Sequence, residues 1–279
     1  MTASGPPRVL SGGRLWVLGA AALWSLGGLL IRYAHQRHGV APEAMACLRS
    51  AFAGVALAWA IPAARPAFGG RFALAAMFYV GILFAFVKAT VVTTSAHAIF
   101  IQYLYPLLVA VGARMIYKER IGPRGLGALA FGAAGIGVIL SGAPVERAGL
   151  LVAFASAICF AGFVLTQRGV TKGSPVGIAS ALNLITAAAL LPIAWPHLRI
   201  SAAGWGVIAF AGVVQLGIPY VMFLRGLRMI PATEAAILTL LEAVLNPVWV
   251  LFLGEAPDAA TIAGGGLILA AVVLRLKGV

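Results

Sequence analysis

Among the seven acidic residues of this 279-residue chain, Glu242 is the one placed deep inside an apolar run, about ten residues from either end. An ionised carboxylate at the centre of a bilayer costs at least about 2.5 kcal/mol, so the group must face protein or water. It could carry a coupled proton or anchor a substrate ammonium. Its structural alternative is an ion pair or a helix-to-helix hydrogen bond, with Arg49 as candidate partner. Asn246 and Trp249 follow at i+4 and i+7, on the same helical face. Gln102 and Gln215 each stand four residues before a proline, Pro106 and Pro219. A helical proline lacks the N–H that would serve the carbonyl four residues back, and at membrane depth that carbonyl needs protein, water or ligand. Both pairs are therefore hinge and site candidates, with a plain kink as the alternative. Pro247 is a third hinge candidate.

Other chemistries find no support. Cys47 and Cys159 lie in separate apolar stretches without C-x-x-C spacing and read as buried fillers. His35 and His38 have no converging ligands, so no metal site is expected. Gly125-Leu126-Gly127-Ala128-Leu129-Ala130 spells a dinucleotide fingerprint, but no strand precedes it and it opens an apolar helix. There is no Walker motif, and no nucleophile or acid/base pair for an enzyme acting on lipids. No cofactor and no enzymatic activity are expected.

The depth of these residues follows from composition. The chain is 62% hydrophobic and 10% charged, with a mean hydropathy of +1.03, whereas a soluble domain carries about 25% charge. That excludes a soluble enzyme and makes the lipid bilayer the solvent. The net charge of +13 falls in short clusters between apolar runs rather than on one face, so nucleic acid is not the expected partner. A spanning helix needs about 20 apolar residues. Ten candidate runs are centred on Trp24, Gly54, Gly81, Pro106, Gly132, Ile158, Ile185, Val213, Glu242 and Leu267. Their joints fall at residues 62–70, 122–125, 142–147, 171–175 and 254–258, too short to hold a soluble domain. The first run, from Leu15, is too long for the core of a secretory signal and reads as a retained helix. Fourteen of the 20 Lys and Arg, from Arg8 and Arg14 through Arg120, Arg124 and Arg168 to Arg275 and Lys277, fall on the N-terminus, the even-numbered loops and the C-terminus. Short cytoplasmic loops collect such charges, so both termini are expected in the cytoplasm of a multi-pass protein of the cell membrane. Lys88 and His97 flank an outer loop and read as snorkelling to headgroups.

The chain also repeats itself. A shift of 136 residues pairs Trp24 with Phe160, Arg32 with Arg168, Gly81-Ile82 with Gly217-Ile218, and Glu119 with Glu255. Five helices per copy is an odd number, so the second copy enters the membrane from the opposite side. The expected fold is an all-α membrane protein, with ten transmembrane helices as two inverted five-helix repeats, residues 14–141 and 148–276. Inverted repeats place a substrate site near mid-membrane between them. The same shift sets Pro106 opposite Glu242 and Tyr79 opposite Gln215. Trp24, Tyr79, Gln102, Phe160, Gln215, Tyr220, Glu242, Asn246 and Trp249 are expected to line one cavity. Gly132, Gly135, Gly137, Gly264, Gly265 and Gly266 permit close helix contacts, within a monomer or at a homodimer seam.

Ala22-Leu23-Trp24-Ser25, Leu48-Arg49, Tyr105-Pro106-Leu107 leading to Lys118-Glu119-Arg120, and Leu241-Glu242 through Asn246-Pro247 to Gly254-Glu255 resemble the EamA family of the drug/metabolite transporter superfamily, ten-helix type. The resemblance spans about residues 14 to 276. It implies a 5+5 inverted repeat with both termini inside, moving small metabolites, often outward. Many members place proline directly after the ninth-helix glutamate, where this chain has Ala243. The functional expectation is an alternating-access carrier for a small polar metabolite, first an amino acid or metabolite exporter, secondary-active or facilitative. Cationic drug efflux is the alternative, and a passive channel a more distant one.

Overall fold

The computed structural model describes residues 11–93, 95–141, 147–251 and 259–276. It is 87% helix. Arg8, Glu255 and Lys277, and the joints at 142–146 and 254–258, lie outside the described residues, as do the side chains of His97 and Pro247.

Helix α1 (Gly12–Trp24) and α2 (Gly27–His38) form one interrupted rod, ended by Gly39 at φ 63°, a left-handed cap that costs glycine little. Pro42, with φ preset, opens α3 (Pro42–Ala56), which turns by 89° into a 3-10 helix at Ala58–Ala67. Pro62 and Pro66 in that segment cannot donate to an α-helical ladder. Then come α4 (Gly70–Val92), α5 (Ser95–Gln102), α6 (Tyr105–Tyr117), α7 (Pro123–Ser141), α8 (Arg147–Arg168) and α9 (Pro175–Ala194). Helix α10 (Ala202–Phe210) passes through a π-helical stretch, Ala211–Gly217, into α11 (Ile218–Leu227). The last elements are α12 (Ala232–Leu238), α13 (Leu241–Val250) and α14 (Ala259–Leu276).

Among the described residues, seven helical stretches are long and apolar enough to cross a membrane, or eight if α3 and its bent continuation count as one. Ten were expected from the sequence. Among the described residues the two uncounted runs are both helical: α12 and α13 are segments of 7 and 10 residues on either side of a break, and α14 is an 18-residue helix.

Helix α4 packs on α8, α3 on α9, α1 on α11 and α7 on α14. The last contact explains part of the glycine pattern. A Cβ on Gly135 would lie 2.6 Å from the Gly264 carbonyl oxygen, and Gly264 in turn abuts Gly135. Gly137, Gly265 and Gly266 have open space where a side chain would be.

The two ends of the bundle are tied differently. At one, Glu234 of α12 is held between Arg14 of α1, at 2.7 Å, and Arg275 of α14, at 2.5 Å. Glu119, beyond α6, accepts from the backbone N–H groups of Ala232 and Thr233 at 3.1 and 3.4 Å, which caps the start of α12. Arg168, at the end of α8, stands 3.9 Å from the same carboxylate. Residues 14 and 275 therefore share one end. At the other, Lys88 is paired with Glu43 at 2.7 Å rather than extended toward headgroups.

Two glycines of α7 give a controlled test of the packing. Gly135→Val should cost about 1–3 kcal/mol by overpacking against α14, read as a lower melting temperature in detergent. Gly137→Val, with the same side chain on an open face, should leave it unchanged.

Candidate functional site

The site is built where helices break. The carbonyls of Trp24 and Ser25, at the α1–α2 interruption, are taken up by side-chain amides from elsewhere in the chain. Gln215 Nε2 donates to Trp24 O at 3.2 Å and Asn246 Nδ2 to Ser25 O at 2.9 Å. Trp249 Nε1 donates to Ser25 Oγ at 2.8 Å. The close approach needs glycines: a Cβ on Gly27 would lie 2.7 Å from Gln215 Nε2, and one on Gly28 2.5 Å from Asn246 Nδ2.

The interruption between α5 and α6 falls at Tyr103-Leu104, and Pro106 occupies the first turn of α6, where its missing N–H costs nothing. Pro219 likewise opens α11, and the π-helical stretch before it absorbs the lost donor. The third break lies at Thr239-Leu240, upstream of Pro247, and the α13 backbone runs continuously through position 247. This changes the setting of Glu242. It is not mid-helix but in the first turn of α13, where the half-helix dipole favours negative charge.

Around Glu242 the contacts are specific. Tyr103 Oη donates to Glu242 Oε2 at 2.5 Å. Arg49 Nη1 donates to Gln215 Oε1 at 3.2 Å. Arg49 and Glu242 line the same cavity but form no ion pair with each other. The guanidinium Nε of Arg49 and the indole N–H of Trp24 are buried without a hydrogen-bond partner. Gln102 Nε2 donates to Ser156 Oγ at 2.6 Å. Tyr105 is hydrogen-bonded to Thr239 and stacks on Phe160 with centroids 4.1 Å apart. Trp24 sits edge-on to Tyr220 at 4.7 Å and close to Phe223 at 5.3 Å, and Tyr79 backs Tyr220 at 4.6 Å.

Of the nine residues expected around one cavity, Trp24, Gln102, Phe160, Gln215, Tyr220 and Glu242 line it. Tyr79, Asn246 and Trp249 do not: Tyr79 supports the wall from behind, and the other two hold the α1–α2 break. The cavity measures about 30 Å³, room for water but not for a metabolite. Tyr103, Tyr105, Ser156 and Thr239 were not among the expected site residues. Ser156 could have been found, since it lies one helical turn before Phe160 on the same face.

Both the fold and the site are those of a multi-pass membrane protein with a polar centre, and comparison with known proteins places it further. The EamA-like transporter family profile matches residues 11–141 and again residues 147–276, and the chain belongs to that family. An uncharacterized transporter of Archaeoglobus fulgidus is 27% identical over 195 residues, covering 69% of this chain and 71% of that one. The uncharacterized transporter YyaM of Bacillus subtilis is 23% identical over 220 residues, covering 73% and 69%. A solved crystal structure superposes with a TM-score of 0.78 over 95% of this chain and 96% of that one, at 20% identity, which shows a shared fold.

The amide that serves the α1–α2 break should carry measurable stability. Asn246→Ala leaves the buried Ser25 carbonyl without its donor and should cost about 1–3 kcal/mol. The readout is the melting temperature of the purified protein, and an unchanged value would show that another group replaces the amide.

Proposed function

We propose that the chain is an alternating-access carrier for a small zwitterionic metabolite, an amino acid first. The observation that carries this reading is the pair of opposite charges, Arg49 and Glu242, lining one aromatic-walled cavity without neutralising each other. A lone cation would be drawn to Glu242 but repelled by Arg49, and a lone anion the reverse. A molecule bearing an ammonium and a carboxylate answers both, and its carboxylate meets the unused Arg49 Nε and Trp24 N–H. The aromatic rings add a face for the ammonium or an apolar side chain. Cationic drug efflux is the second reading, favoured by Glu242 and the rings together.

The reading includes ten spans in two inverted repeats, residues 14–141 and 148–276. Its support is positional. The α5–α6 break at Tyr103-Leu104 and the α12–α13 break at Thr239-Leu240 are 136 residues apart, the same interval that relates the sequence copies. The helix contacts are reciprocal as well: first span on eighth (α1 on α11) and third on sixth (α4 on α8) exchange under a swap of halves. The cavity is too small for cargo, so loading requires the halves to part, and the interrupted helices are the natural hinges. Export, in a monomer or homodimer of the cell membrane with cytoplasmic termini, follows the family resemblance and the distribution of Lys and Arg. Coupling is to a gradient or absent.

Counterflow in proteoliposomes tests the reading. Preloaded amino acid should accelerate uptake of the same labelled compound. Glu242→Gln should lower that flux by at least about tenfold, a barrier change of about 1.4 kcal/mol, while the protein stays folded in detergent. Linear, unsaturable flux would point to a channel. Acceleration by organic cations alone would favour drug efflux.

A further inference from the structure

A second cavity is larger than the central one. It encloses about 370 Å³ at the end where residues 14 and 275 meet, between the loop after α6, the first turn of α7, the start of α12 and Arg275 of α14. A volume in the range of about 300–1,000 Å³ suits a small ligand. We propose that this cavity binds the phosphate of an anionic phospholipid headgroup.

The argument begins with charge. The two carboxylates in the wall are already engaged, Glu119 with the start of α12 and Glu234 between two guanidinium groups. Arg120 and Arg124, also in the wall, make no hydrogen bond or ion pair among the described residues. With Arg14, Arg168 and Arg275, five arginines stand against two glutamates here. That surplus of positive charge calls for an anion. Guanidinium forks match phosphate oxygens in a bidentate fashion, and the first turn of the 19-residue α7 contributes backbone N–H groups without helical acceptors.

The choice of a lipid over a soluble phosphate rests on what borders the arginines. Met115 and Ile116, just before Arg120, are 77% and 62% exposed, and Leu126, just after Arg124, is 56% exposed. A phospholipid meets both surfaces at once, headgroup among the arginines and acyl chains over the apolar residues. A free phosphate uses only the first. This end also carries most of the basic residues, and membranes concentrate anionic lipid in the cytoplasmic leaflet. A headgroup held there would bridge the α6–α7 loop to α12 and α14, the elements already joined through Glu119 and Glu234.

The experiment follows the melting temperature of the full chain in a neutral detergent during titration with short-chain phosphatidylglycerol, short-chain phosphatidylcholine or inorganic phosphate. Phosphatidylglycerol should raise it by about 2–4 °C, with phosphatidylcholine and inorganic phosphate well below that. Arg120→Gln with Arg124→Gln should abolish the increment without changing the melt in its absence, since both side chains are exposed and unbonded. Arg114→Gln, an exposed arginine outside the cavity wall, should retain it. An increment that survives in the double variant overturns the site. An equal rise with inorganic phosphate overturns the lipid assignment in favour of a free anion, and an equal rise with phosphatidylcholine overturns the requirement for an anionic headgroup.

Discussion

Hydrocarbon offers no hydrogen bonds, so every backbone group released by a helix break must be satisfied from within the protein. The centre of this molecule is organised by that constraint. The α1–α2 interruption releases the carbonyls of Trp24 and Ser25, and two amides from distant spans, Gln215 and Asn246, take them up. Those amides reach the backbone only because residues 27 and 28 have no side chain to block them. The break in the first rod, the polar residues of the eighth and ninth apolar runs and the Gly27-Gly28 pair are thus one structural unit. Removing any member leaves the others exposed to an apolar interior.

Some of this was legible in the sequence. The glutamines and the prolines four residues after them marked two interruptions, because a proline cannot donate and its cost is set by covalent structure. The 136-residue interval was visible in matched residue types, and the breaks at Tyr103-Leu104 and Thr239-Leu240 fall on the same interval. Glu242 stood out by charge alone. What could not be read was its position relative to a helix end. The break at Thr239-Leu240 contains neither proline nor glycine, and nothing in Leu-Thr-Leu-Leu-Glu announces that the ladder stops there. Apolar periodicity runs straight through it. The roles of Gln215 and Asn246 were hidden too, since their partner is backbone and backbone has no sequence signature. Hydropathy registers composition and not the 89° bend after α3 or the split between α12 and α13, so the apolar runs did not show which helices are bent or broken.

The break that displaced Glu242 from mid-helix also explains how an acid is tolerated so deep. In the first turn of α13 it sits at the positive end of the half-helix dipole and accepts a hydrogen bond from Tyr103. Arg49 is similarly held by the neutral oxygen of Gln215. Two buried charges in one cavity would ordinarily collapse into an ion pair, the arrangement that best offsets the desolvation of both. Here each is anchored to a different neutral partner, and the space between them stays open at about 30 Å³. That separation is what makes the cavity a candidate for cargo rather than a structural tie.

The same anchoring limits how the cavity can open. Tyr103 lies at the α5–α6 break and Glu242 at the start of α13, just after the α12–α13 break, so their bond joins two interrupted rods at their hinges. Tyr105 and Thr239 join the same two hinges again. Helix α12, however, is fixed at its far end through Glu234 to Arg14 and Arg275 and through its capped start to Glu119. Thr239-Leu240 is where the regular ladder between α12 and α13 gives way to shorter i-to-i+3 bonds, so the proposed movement of α13 against α12 would be centred there. In the proposed carrier, a charged ligand between Arg49 and Glu242 would compete with Tyr103 for the carboxylate and so loosen the contact that joins the two breaks, which would make recognition of the ligand and release of the hinge one event.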